Sequence, residues 1–257
     1  MKLIYPDNIS SVTASEENAN YLATNVQDEH PKKVWKGTSR DATLTCVVTG
    51  GGALAVIATN AESISLTLST GQTWTLDTGW SIQDGWALDT SGDSTVTQIA
   101  NLTGGIDGAA WFDFSENRTG SFTATLDLTA AAGEIIQAGI VRCGTLRTFV
   151  DPRYGIQEGL EDYSIEKELN NGAFYYRLRD IVSSFDFIIT PARDPDFYTF
   201  MRTVAKAIGK QPMAWRLVTV NNSDEEWITF ARFADMPRGS HDFPLHSPIK
   251  ASLLEVV

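Results

Sequence analysis

The stretch Gly133 to Asp180, GEIIQAGIVRCGTLRTFVDPRYGIQEGLEDYSIEKELNNGAFYYRLRD, sets the organisation of the chain. Its first third predicts a buried strand: Ile135, Ile136, Ile140 and Val141 are apolar, and the run continues through Leu146 to Val150. Its last third predicts a β-hairpin over 162–180. Asn171-Gly172 is the preferred pair for a two-residue type I′ loop. With that loop Leu169 faces Phe174, Lys167 faces Tyr176 and Ile165 faces Leu178, while Glu168 meets Tyr175 and Glu166 meets Arg177. One face is then apolar and the other carries an opposite-charge pair. Between the two thirds lies a Pro-, Gly- and acid-containing connection, Asp151 to Asp162, which reads as a hinge. A β-domain over 1–150 and a smaller α+β unit over 151–257 follow from this division.

Working back towards the N-terminus, short strands are predicted at Ala42 to Val48, Ala53 to Thr59, Ser63 to Leu68 and Thr73 to Asp77. Ser63 to Leu68 alternates, with Ile64, Leu66 and Leu68 on one face. Gly50-Gly51-Gly52 reads as a break between strands. Further strands are expected at Ala109 to Phe114 and Phe122 to Leu128, giving an antiparallel sandwich or jelly roll. Residues 1–40 are polar and turn-rich, and predict a loop strapped down by Val12, Tyr21, Leu22, Val26, Val34 and Trp35.

Working forward, a third strand at Ser184 to Thr190 is expected to join the hairpin's sheet. One helix follows, capped by Asp194, opened by Pro195 and ended by Gly209. Phe197, Phe200, Met201, Val204, Ala205 and Ile208 form its apolar stripe, expected to lie on the hairpin's apolar face. Strands at Ala214 to Val220, Trp227 to Phe233 and Ile249 to Val257 complete the second unit.

A formal charge of −12 argues against a nucleic-acid surface, which needs a basic face. No segment approaches the ~20 apolar residues of a membrane span, and MKLIYPDNISSV has no signal-peptide core, so synthesis in the cytoplasm is expected. Cys46 and Cys143 then read as two reduced core thiols, with a disulfide as the alternative, because sequence does not give their register.

No motif with a catalytic mechanism is present: there is neither a phosphate-binding glycine loop nor a nucleophile elbow. His241, Asp242 and His246 invite a metal, but the segment has two prolines, no helical frame and no evident third ligand; no metal or cofactor is expected. Acidic pairs such as Glu161-Asp162 read as solvated turns. The set Trp74, Trp80, Trp86 and Trp111 reads either as core or as a sugar-stacking platform, with Trp80 and Trp86 the candidates for glycan contact. Asn171, Gly172, Phe174 and Tyr176, at the tip of the hairpin, are the candidates for assembly contacts.

Two stretches carry a family resemblance. VTASEENANYLATNVQDEHPKKVW, followed by ALAVIATNAESISLTL, resembles the start of a discoidin-type jelly roll. Tyr21-Leu22-Ala23-Thr24-Asn25 stands for that family's Tyr-Pro-Ala-x-Asn-like turn, without the proline, and Trp35 for its Trp. Continued through IIQAGIVRCGTLRTFVDPRYGIQEGLEDYS and a hairpin-helix unit, Tyr163 to Ile208, the chain resembles a bacteriophage tail-tip or baseplate protein of the distal-tail type. The resemblance implies a non-enzymatic virion protein, a ring subunit between tail tube and tip. Its implied partners are copies of itself, as trimer or hexamer, and other tail proteins. A carbohydrate-binding module that contacts host glycans is the alternative.

Overall fold

The computed structural model describes residues 1–77, 98–102, 108–152, 156–168, 174–192, 196–219, 222–240 and 246–256. In chain order the strands are β1 (Lys2–Asp7), β2 (Ile9–Ala14), β3 (Trp35–Lys36), β4 (Asp41–Thr59), β5 (Ala61–Leu68), β6 (Thr73–Asp77), β7 (Gln98–Asn101) and β8 (Gly108–Ala130). They continue as β9 (Gln137–Thr148), β10 (Ile156–Asp162), β11 (Ile165–Glu168), β12 (Phe174–Arg177), β13 (Ile181–Ile189), β14 (Met213–Thr219), β15 (Asn222–Gly239) and β16 (Ile249–Glu255). All the pairings named below are antiparallel. Among the described residues the protein is mainly β, with a 3-10 turn over Ala23–Gln27 and one short helical segment after β13.

Two compact units divide the chain: Met1–Phe149 with Met213–Phe230, and Val150–Pro212 with Ala231–Val257. Residues 213–230, expected in the second unit, belong to the first. The reason is strand pairing: β14 lies beside β1, with Lys2 opposite Arg216 and Leu3 opposite Trp215.

The first unit is built on β4 and β8, which pair from Asp41↔Thr129 to Thr59↔Gly108. Their register shifts between Thr49 and Ala53, so Gly50-Gly51-Gly52 is a bend inside one long strand and not the expected break. Gly50 within that bend and Gly120 on the facing strand β8 take positive φ, a conformation that glycine adopts without a Cβ penalty. Before the bend, β4 is flanked by β2, and its partner β8 by β5, which in turn pairs with β6. Beyond it, β4 is flanked by β9, and β8 by β7. The two halves face one core: Leu44, Cys46 and Val48 from one side of the bend and Leu54 and Val56 from the other share a single buried cluster. This is a sandwich-like arrangement in which two strands pass from one layer into the next.

Beyond the bend the sheet is buried on both faces. Ala53 to Ile57, Ala109 to Asp113 and Ile140 to Cys143 are all buried, with no polar-out alternation. The expected N-terminal loop holds three strands, β1, β2 and the two-residue β3. β1 fills the edge of β9, placing Leu3 opposite Arg147 and Ile4 opposite Leu146. Of the expected anchors, Val12, Val26 and Trp35 are buried, whereas Tyr21 and Leu22 are exposed.

In the second unit, β10, β13, β16 and residues 231–239 of β15 form a sheet with the order β10-β13-β16-β15. One face carries Phe185, Phe187, Ile189, Ala251, Leu253 and Phe233, all buried. The helical segment lies on this face: Phe200 meets Phe233 edge-on at 6.4 Å. It is wound as π-helix over Thr199–Ala205 and as α-helix over Lys206–Ile208, and ends at Gly209, whose N–H reaches the Ala205 carbonyl at 2.9 Å. Phe197, Phe200, Val204, Ala205 and Ile208 are buried as the stripe predicts. Its expected cap, Asp194-Pro195, lies outside the described residues. Two expectations are corrected here. The stripe packs on the four-stranded sheet and not on the hairpin, and β13 joins β10 and β16, not the hairpin.

Candidate assembly surface

β11 and β12 form a separate two-stranded ribbon. Its base is closed by local side-chain chemistry. Asp162 Oδ1 accepts the Ser164 N–H at 2.8 Å, and Ser164 Oγ accepts the Arg179 N–H at 3.0 Å. The bonds from Ser164, hydroxyl first, hold the Asp162 carboxyl below the usual carboxylate range.

The ribbon's register differs by one residue from the expected one. Ile165 pairs with Arg177, Glu166 with Tyr176, Lys167 with Tyr175 and Glu168 with Phe174. A two-residue loop at Asn171-Gly172 would require the neighbouring register; Leu169, Asn171 and Gly172 themselves lie outside the described residues. The physical reason is burial. The expected register assumed one buried apolar face, and Phe174 to Leu178 are all exposed, so no core selects which side chains face inward.

The slip redistributes the side chains. On one face Tyr176 donates its hydroxyl to Glu166 Oε1 at 3.1 Å and stacks with Phe174, with ring centroids 6.2 Å apart. The other face carries Ile165, Lys167, Tyr175 and Arg177. Exposure is large: 55% for Phe174, 52% for Tyr175 and 61% for Tyr176. Leu160, Tyr163, Leu178 and Ile181, which flank the ribbon in the chain, are exposed as well. Single exposed apolar residues are ordinary, whereas several exposed aromatic rings on one two-stranded ribbon make it the candidate contact surface. The two assembly candidates that can be placed, Phe174 and Tyr176, thus share one face.

Two clusters of buried charge in the first unit are paired internally. Asp113 accepts from Arg216 Nη1 at 2.9 Å and from Trp111 Nε1 at 2.5 Å, and also pairs with Lys2 Nζ. Arg142 donates to the carbonyls of Val26 and Asp28 at 3.1 and 2.9 Å, lies 3.6 Å from Asp7 Oδ2 and covers the Phe230 ring at 5.2 Å. Burial pushes the Asp7 carboxyl up, against the opposing pull of Arg142. These two clusters escape sequence reading, because the oppositely charged partners in each lie more than a hundred positions apart in the chain. Their geometry is that of internal bracing.

Trp74 and Trp111 are buried, Trp74 stacking on Phe114 at 5.6 Å, so neither can stack a sugar. Trp80 and Trp86 lie outside the described residues. Cys46 and Cys143 are buried free thiols. His246 bridges to Ala192, while His241 and Asp242 lie outside the described residues. Among the described residues no group of three His, Cys, Asp or Glu could hold a metal ion, and no helix is long and apolar enough to cross a membrane. A cavity of about 360 Å³ on the solvent-facing side of the second unit's sheet is lined by Asp186, Asp235, Met236, Arg238, Lys250 and Ser252, a mixed-charge surface without a directed set of groups. No protein-family model matches the chain, and neither a curated protein nor a solved structure does.

Proposed function

We propose that the chain is a non-enzymatic structural assembly protein, a subunit of a phage tail tip or baseplate that joins neighbouring tail proteins. One observation carries this reading: a ribbon with aromatic side chains exposed on both faces stands apart from the sheets of its own chain. A two-stranded ribbon is marginal in water by itself, and gains stability when a partner covers it. The resemblance to distal-tail proteins supplies the setting: a jelly roll of discoidin type in the first unit, a ring of three or six copies, and a place in the virion. The doubly buried sheet and the internal bracing of Asp113 and Arg142 suit a subunit whose work is to hold shape.

The test is the solution mass by light scattering across concentration, with negative-stain microscopy and a glycan array on the same sample. Rings, or a single chain that is incorporated into tails when tail proteins are supplied, with a blank array, are the expected results. A monodisperse single chain that tails do not take up, with array signal, overturns the reading in favour of a glycan binder.

A further inference from the structure

The two faces of the β11–β12 ribbon have opposite charge. Directly opposed residues of an antiparallel pair share a face. The register therefore sets Glu166 on the face of Tyr176 and Phe174, with position 168 paired to Phe174 along the backbone, and sets Lys167 and Arg177 beside Ile165 and Tyr175. The first face is acidic and aromatic; the second is basic and aromatic.

We infer that the partner of this ribbon is a second copy of the same chain, the acidic face of one copy stacking on the basic face of the next. The inference rests on the assembly reading and names its contact. Charge complementarity selects the partner. A chain with a net charge of −12 repels its own copies except where a basic patch meets an acidic one, and each ribbon supplies both. The chemistry matches side by side. The stacked rings of Phe174 and Tyr176 offer π faces to the Lys167 ammonium and the Arg177 guanidinium, while Glu166 provides a counter-charge. Stacking like on like would set acid against acid, which disfavours a two-fold dimer through these faces. Acidic on basic is a heterologous contact, so each copy engages two neighbours, and the series closes as a ring or runs on as a filament.

Charge reversal tests this. One variant carries Glu166→Lys and Glu168→Lys, so both faces are basic. A second carries Lys167→Glu and Arg177→Glu, so both are acidic. Sedimentation velocity across the micromolar range is expected to show self-association of the wild type, weakened as salt is raised. Each variant should need about tenfold or more protein to reach the same mass. An equal mixture of the two should associate again, as should a single chain carrying all four changes. The ribbon is exposed, so unchanged thermal unfolding establishes that every variant is folded. If the wild type oligomerises and the reversals leave its mass unchanged, ribbon stacking is overturned while the assembly reading stands. The same holds if the wild type stays single yet is incorporated into tails. A mixture that stays single also overturns the stacking.

Discussion

The β4–β8 pair and the β11–β12 pair are both antiparallel ribbons, yet they answer to opposite constraints. Where β4 and β8 pair beyond their bend, every residue from Ala53 to Ile57 and from Ala109 to Asp113 is buried, and the register is fixed from both sides. In β11–β12 no described side chain is buried, and the register rests on the ribbon's own cross-strand contacts and the bonds at its base. Substitutions in the first pair should therefore be read out in folding, and substitutions in the second in association. A cost in the wrong column would break the comparison.

The largest expected effect lies at Asp113. Its removal leaves Arg216, 4% exposed at its side chain, as a buried cation without its carboxylate. Breaking a buried pair from one side costs about 3–5 kcal/mol. Asp113→Ala should lose that much in urea unfolding, and Trp111→Ala, which deletes a fully buried indole, about as much. A loss below about 1 kcal/mol at both positions would mean that the second face of this sheet is not the packed layer described.

Next comes Gly144, opposite Asp7 in β1 and Ala53 in β4. A Cβ there would run into the carbonyl oxygen of Pro6, which is backbone and cannot swing aside. Gly144→Ala should cost about 1–3 kcal/mol, as overpacking does. By contrast, Gly133, with open space around its Cβ position, has only its positive φ to lose. A variant at Gly144 as stable as the wild type would show that β1 and β9 do not approach this closely.

The same contrast explains what was legible in the sequence. Ser63 to Leu68 and Thr73 to Asp77 are strands as expected, because Ile64, Leu66, Leu68, Trp74 and Leu76 alternate with polar residues. β1 was not legible: Leu3 and Ile4 are adjacent and both buried, so period two is absent. The joining of two predicted strands into β4, and of two more into β8, turns on glycines that punctuate a sequence equally well as a break or as a bend. Asp113 and Arg216 meet across 103 positions, and nothing local announces the partner. At the assembly surface the division of Phe174 and Tyr176 from Tyr175 and Arg177 was legible, but their cross-strand partners were not, since the register depended on a burial that does not occur. Leu178, assigned there to an apolar face opposite Ile165, is 85% exposed beyond the strand end.

A smaller effect is expected from the core thiols. Burial pushes the Cys46 thiol up from the ordinary 9.0 to about 12, and Cys143 rises as well. Both raised values favour the protonated form in the folded state. Their contribution is complete below pH 9.0, where folded and unfolded chains alike hold the proton, and is lost as pH rises towards the folded value. For Cys46 alone the loss at about pH 10 is about 1.4 kcal/mol. Urea unfolding at about pH 8 and about pH 10 should show that extra drop in the wild type and not in Cys46→Ala. Equal slopes would place the thiol in contact with solvent and weaken the picture of a core shared across the bend.

The smallest effect on folding is the most telling for function. Phe174→Ser and Tyr175→Ser each alter one exposed ring on opposite faces of the ribbon, so each should change unfolding free energy by no more than about 0.5 kcal/mol. If copies stack through both faces, either change weakens self-association, and the two together weaken it no further than breaking one side of every contact allows. If only Phe174→Ser weakens association, the contact uses the acidic face alone. Two copies would then meet there by symmetry or through another protein, and the ring would have to close through a different surface. If either change instead costs as much as a core substitution, the ribbon is packed against its own chain. The distinction between the two antiparallel pairs would then fail at the place where it matters most.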